Sequence, residues 1–309
     1  MSSILTEVLK RTAFFAETHS IKGWIANARL QRRMPTLAPL LADLEQWNQL
    51  LSAPRVDGVL HAHLSWDRSV LADKRLQRIV RNAVFPFSYL AVVEWSKRHG
   101  LASMIAEDRE MALRRIGNLG HSFTIHRSFQ EVLEHLETDE QRVLCAERYA
   151  EFVASQLAEI DATDNLATPL DGPELELLDV CDRVLAHPGY LGHTLITLGI
   201  LLRSRPELDA PRWRHALARV RDMAVPSVVD GSGVEAARTE GVPSEATLND
   251  AIKALLERGP REVHTVTLAD AALDAWDGIP ERRAEIELAV FRFAAIEVRR
   301  APGGERASL

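Results

Sequence analysis

A chain of 309 residues, 46% hydrophobic and 26% charged, has the composition of an ordinary globular protein, which excludes disordered, collagen-like and membrane classes and supplies enough core to fold without disulfides or a structural metal. The net charge of -7 repels a phosphate backbone, and the arginines are scattered through helical stretches, so nucleic acid is not an expected partner. Two cysteines, Cys145 and Cys181, stand in no CxxC pair, which leaves no disulfide framework to read and fits a reducing, cytoplasmic location.

In chain order, MSSILTEVLKRTAFF lacks a basic segment followed by an apolar one and predicts no secretion signal. THSIKGWIANAR follows, a helical pattern with His19 and Lys22 three residues apart and therefore on nearly one face. Leu37, Leu40, Leu41 and Leu44 repeat at helical spacing. His61, His63 and Asp67 in LHAHLSWD form an HxH of the kind that amidohydrolase barrels use, but the strand-helix alternation of a barrel is missing, and a helix start or loop is the plainer reading. Beyond it, NLGHSFTIHRSF carries His121 and His126, and Val143, Ala146, Tyr149 and Val153 mark another helix. The longest apolar stretch, Val184 to Leu202, is interrupted by His187, Pro188 and His193 and does not read as a membrane span. REVHTVTLADAAL carries His264, and APGGERASL reads as a frayed tail over 301–309. TDNLATPLDGP and VPSVVDGSG are long enough for exposed loops, without the composition of interdomain linkers. Alternating strand patterns are nearly absent, so the expected fold is all-α: a single helical domain of roughly a dozen helices over 1–300, built around a buried metal site.

That site is expected from the histidines. Of eleven, four are followed by Ser or Thr and then by an apolar helical run: His19, His121, His193 and His264. A histidine on an apolar helix face puts a polar ring into a core, where it needs hydrogen-bond partners or a metal. Any one of them alone is more often a satisfied core residue. Four on separate helices suggest one shared ion, because imidazoles converging from several helices are how bundle interiors make metal sites. Lys22, between Ile21 and Gly23-Trp24-Ile25, sits in an apolar setting that lowers an ammonium pKa. His126, His187 and Trp24 are candidates for touching a substrate. Glu17, Asn118, Thr267 and Asp270 lie close enough in sequence to orient the imidazoles. No Glu or Asp stands three residues before any histidine, so the ExxH of di-iron bundles is absent, as are HExxH, GxSxG, the P-loop and GxGxxG.

GHSFTIHRSFQEVLEHL…AERYAEFVASQL, YLGHTLITLGILLRSRPELDAPRWRHALARV and REVHTVTLADAALDAW, taken together over about residues 115 to 298, resemble the questin oxidase-like proteins. Those are helical proteins whose fungal members open anthraquinone rings, and at least one holds a nonheme iron by four histidines and a carbamylated lysine. The family's C-terminal HxxK has no counterpart after His264; THSIKGWIANAR supplies one at the N-terminus, as in a circular permutation. Gly120 stands where the family usually has Asn. The resemblance implies that His19, His121, His193 and His264 bind Fe(II) and that Lys22 adds an oxygen ligand as a carbamate. The reaction it implies is oxygenative cleavage of an aromatic or polyketide ring in secondary metabolism, with a small-molecule substrate and dioxygen as partners. A metal-dependent cyclase, isomerase or hydrolase and a non-catalytic helical scaffold are the alternatives.

Overall fold

Helix starts along this chain follow from a few local devices. Asp209 caps one helix, its carboxylate accepting the Arg212 backbone N–H at 2.9 Å with Pro211 in the first turn, the arrangement that satisfies otherwise orphaned N–H groups. Gly120 and Gly192 open two others in the left-handed conformation, with φ of 68° and 77°, a region that glycine enters without steric cost. The computed structural model describes residues 2–11, 19–42, 100–114, 116, 120–158, 173–225, 248–258 and 263–295. These are 89% helical, with twelve helices and no strands. Eleven are labelled α1 (Ser2–Arg11), α2 (His19–Arg33), α3 (Leu101–Arg114), α4 (His121–Val132), α5 (Asp139–Ala158), α6 (Leu177–Ala186), α7 (His193–Ser204), α8 (Ala210–Met223), α9 (Leu248–Arg258), α10 (Val263–Gly278) and α11 (Arg283–Ala295); the twelfth covers 38–42.

Two apolar clusters hold these helices together. The larger joins α6 to α11 through residues such as Val184, Leu198, Leu217, Leu255, Val266 and Val290. The smaller gathers α1, α3 and α5 around Leu9, Met104, Tyr149 and Phe152. Both α2 and α4 bridge the two: Ile21 and Ile25 face the smaller cluster while Ala26 and Leu30 face the larger, and Phe129 and Phe123 divide in the same way. Val143, read as apolar helix face, is 59% exposed; α5 buries Cys145, Tyr149 and Phe152 instead.

The four helices that begin with, or one residue before, the Ser/Thr-flanked histidines form a ring. α7 packs on α10, α10 on α2, α2 on α4, and α4 on α7. All four run in one direction, because partners recur in the same order along each pair. His121 meets His193, and ten residues later Glu131 meets Arg203; Arg29 meets Asp270 and Asp274, and one turn later Arg33 meets Asp274 and Asp277. The closest approach lies between α7 and α10, where a Cβ on Gly199 would stand 2.2 Å from the Ala271 carbonyl oxygen.

Candidate metal centre

His121 is the first residue of α4, His193 the first of α7 and His264 the second of α10. The parallel ring therefore delivers three imidazoles to one end of one bundle. The turn before α7 is tight: Gly189, Leu191 and Gly192 all have positive φ, Gly192 N–H donates to Gly189 O at 3.0 Å and Thr194 N–H to Pro188 O at 3.0 Å. Leu191, at φ 51°, is the only described residue other than glycine in this region, a conformation that costs roughly 1–2 kcal/mol for an L side chain. His193 follows two residues later as the first residue of the helix, at 3% exposure. Gly120 cannot be enlarged, since a Cβ there would lie 2.0 Å from Thr197 Oγ1. Asn tolerates left-handed backbone better than most residues, but its side chain has no room here.

His121 and His193 are buried and His264 half-buried, and their ligand atoms all lie within 4.8 Å of one another. His121 Nε2 and His193 Nε2 are 2.9 Å apart. The His193 and His264 rings are 4.6 Å apart between centroids. At 2.9 Å the His121 and His193 rings share a hydrogen bond, and two nitrogens each roughly 2.1 Å from one ion and at right angles to each other would stand about as far apart. The group can hold a metal ion, and imidazole suits iron, zinc, copper or nickel.

Other predicted residues fall in different places. His19 opens α2 at the same end of the ring, with its side chain outside the described set. Lys22, in the first turns of α2, is buried at 2% exposure and its Nζ has no hydrogen-bond partner among the described residues. Burial pulls its pKa from 10.5 to about 7, as an apolar setting demands of a charge it cannot solvate. The three substrate candidates are not part of the histidine group. His126 Nε2 lies 2.8 Å from the Ile105 carbonyl oxygen, and burial lowers its pKa to about 4. Trp24 packs edge-on against His135 within the smaller core cluster, and His187 terminates α6. Thr267 Oγ1 donates to Val263 O at 2.8 Å, the usual back-bond of a helical threonine, and Asp270 accepts from Arg29 and Arg203. Glu17, Asn118, His61, His63 and Asp67 lie outside the described residues.

Sequence reasoning missed a partly buried ion-pair cluster further along the same ring. Arg203 of α7 reaches Glu131 of α4 at 2.9 Å and Asp270 and Asp274 of α10 at 2.8 Å each. Arg29 of α2 reaches the same two aspartates at 3.0 and 2.9 Å. Burial alone would lower the Arg203 pKa, but Asp270, Glu131 and Asp274 outweigh it and hold the guanidinium charged. The available signal was spacing: Arg29, Glu131, Arg203 and Asp274 each stand ten residues after one of the four histidines.

Fold and site thus define a class: an all-α protein in which parallel helices bring three histidines into a group able to hold a metal ion. No family model matches the chain, and neither a curated protein nor a solved structure matches it. No described helix is long and apolar enough to cross a membrane.

Proposed function

We propose that the protein is a nonheme iron-dependent oxygenase acting on an aromatic or polyketide-like ring. The observation that carries this reading is the meeting of His121, His193 and His264 at the ends of three parallel helices. Three imidazoles leave coordination positions for further ligands, substrate or dioxygen. His19, on the fourth helix of the ring, supplies a further imidazole. Lys22 supplies an oxygen ligand after its neutral amine adds carbon dioxide: an N–C bond forms, one amine proton leaves to solvent, and an uncharged amine becomes an anionic carbamate. The burial of Nζ without a partner and its lowered pKa support that chemistry, since only the unprotonated amine is nucleophilic. Iron bound there would supply dioxygen activation.

Metal analysis of protein purified without chelator tests the site, with about one iron per chain expected. Dioxygen uptake by the Fe(II)-loaded protein with polyhydroxylated aromatic compounds tests the reaction. Metal-free protein that turns such compounds over would overturn both. Stoichiometric metal with no Fe(II)-dependent uptake would favour Lewis-acid chemistry, as in a cyclase, isomerase or hydrolase.

A further inference from the structure

We propose that the partly buried ion-pair cluster of Arg29, Glu131, Arg203, Asp270 and Asp274 is a positioning device for the histidine centre: it fixes the axial register of the four parallel helices and thereby sets how tightly the centre binds metal. The proposal rests on the reading that the histidines hold a metal.

Each helix of the ring carries a histidine in its first two residues and a cluster member ten residues later: His19 and Arg29, His121 and Glu131, His193 and Arg203, His264 and Asp274. Ten residues of helix rise about 15 Å, so two sets of positions, one of histidines and one of alternating charges, lie at a common separation along four rods. Charges link the rods in sequence: Arg29 of α2 to Asp274 of α10, Asp274 to Arg203 of α7, and Arg203 to Glu131 of α4. A helix is stiff over this distance, so an axial shift in one set appears undiminished in the other. Apolar side chains alone would restrain that shift weakly, since helix faces built of ridges and grooves can re-engage one turn, about 5.4 Å, further along. Antiparallel neighbours often have their stagger set by a short loop, but no pair in this ring has one. His121 and His193 are 72 residues apart in sequence, and Arg29 and Asp274 are 245 apart. A guanidinium hydrogen-bonded to two carboxylates, as Arg29 and Arg203 each are to Asp270 and Asp274 at 2.8–3.0 Å, accepts little sliding. Buried ion pairs add little net stability compared with apolar replacements and are better suited to specifying register.

The test uses full-length protein and Co(II) as the probe, read by its visible absorption and by titration. The double variant Arg203→Met with Asp274→Leu removes one charge of each sign and leaves Arg29 with Asp270 and Arg127 with Glu131. Its thermal unfolding should stay close to that of the unchanged protein, while Co(II) affinity falls by at least about tenfold, as for loss of a group that orients ligands, and the Co(II) spectrum changes. The milder Glu131→Gln, which loosens only the helix carrying His121, should weaken Co(II) by a smaller factor and keeps the test open if the double variant does not fold. Arg282→Met, which removes the exposed pair with Asp182, should change nothing. Variants that fold and bind Co(II) within about twofold of the unchanged protein, with the same spectrum, would make the cluster purely structural and overturn the proposal. An unchanged protein that binds no Co(II) would instead sink the metal reading itself.

Discussion

Lys22 carries the sharpest consequence at the level of single residues. Its amine titrates near 7 in the fold against 10.5 for an ordinary lysine. Between those values the unfolded chain holds a proton that the folded chain lacks, so folding stability of the metal-free protein rises with pH across that window, by at most about 1.4 kcal/mol per unit. Lys22→Met cannot titrate and should flatten the rise. Denaturant unfolding at about pH 7.5 and about pH 9.5 in carbon dioxide-free buffer measures the slope; equal slopes for the two proteins would mean that Lys22 remains charged where it is buried. In the presence of iron, His121→Ala, His193→Ala and His264→Ala should each abolish stoichiometric loading while leaving the helical circular dichroism intact, because a core of this size survives the loss of one imidazole. Lys22→Arg should load no better than Lys22→Ala, since a guanidinium keeps its charge and forms no carbamate. Full loading in either lysine variant would remove Lys22 from the ligand set.

Among the elements, the contact of α7 with α10 is the one with least tolerance. Adding a methyl group at Gly199 places it 2.2 Å from the Ala271 carbonyl oxygen, and helix backbone has no side-chain rotation with which to yield. Gly199→Ala should therefore cost roughly 1–3 kcal/mol, the usual penalty of overpacking, despite alanine's better helix propensity; an unchanged melting temperature would show that the two helices can separate freely. This level is also where the sequence was most and least informative. The His-Ser and His-Thr pairs were visible in the sequence because they repeat at helix starts, where small polar residues are favoured, and the apolar runs behind them marked α2, α4, α7 and α10 as core helices. The directions and neighbours of those helices were not legible, since a helical period says which face is buried but not against what. The same limit hid the ion pairs: Arg29, Glu131, Arg203 and Asp274 look like members of solvated faces until the fold places the side chains of Arg203 and Asp274 at only 10% and 9% exposure. The lowered pKa of Lys22 could be anticipated because its apolar neighbours are adjacent in sequence, whereas the hydrogen bond that engages His126 comes from Ile105, 21 residues earlier.

For the molecule as a whole, bound metal should act on the rate of unfolding and not on the rate of folding. The three ligand helices are separated by long return segments, with α5 and α6 between α4 and α7, and α8 and α9 between α7 and α10. Contacts between such distant segments form late, so an ion that needs all three histidines finds no site in the folding transition state. Stopped-flow refolding with and without Co(II) should give the same folding rate and a slower unfolding rate with metal; faster folding with metal would mean that a histidine subset gathers early. The same topology governs synthesis. The ring cannot close on a nascent chain until α10 has been made, so the face of α2 that carries Ala26 and Leu30 waits for α10 after the face that carries Ile21 and Ile25 has met α1 and α4. Slow codons between α7 and α10 would prolong that wait.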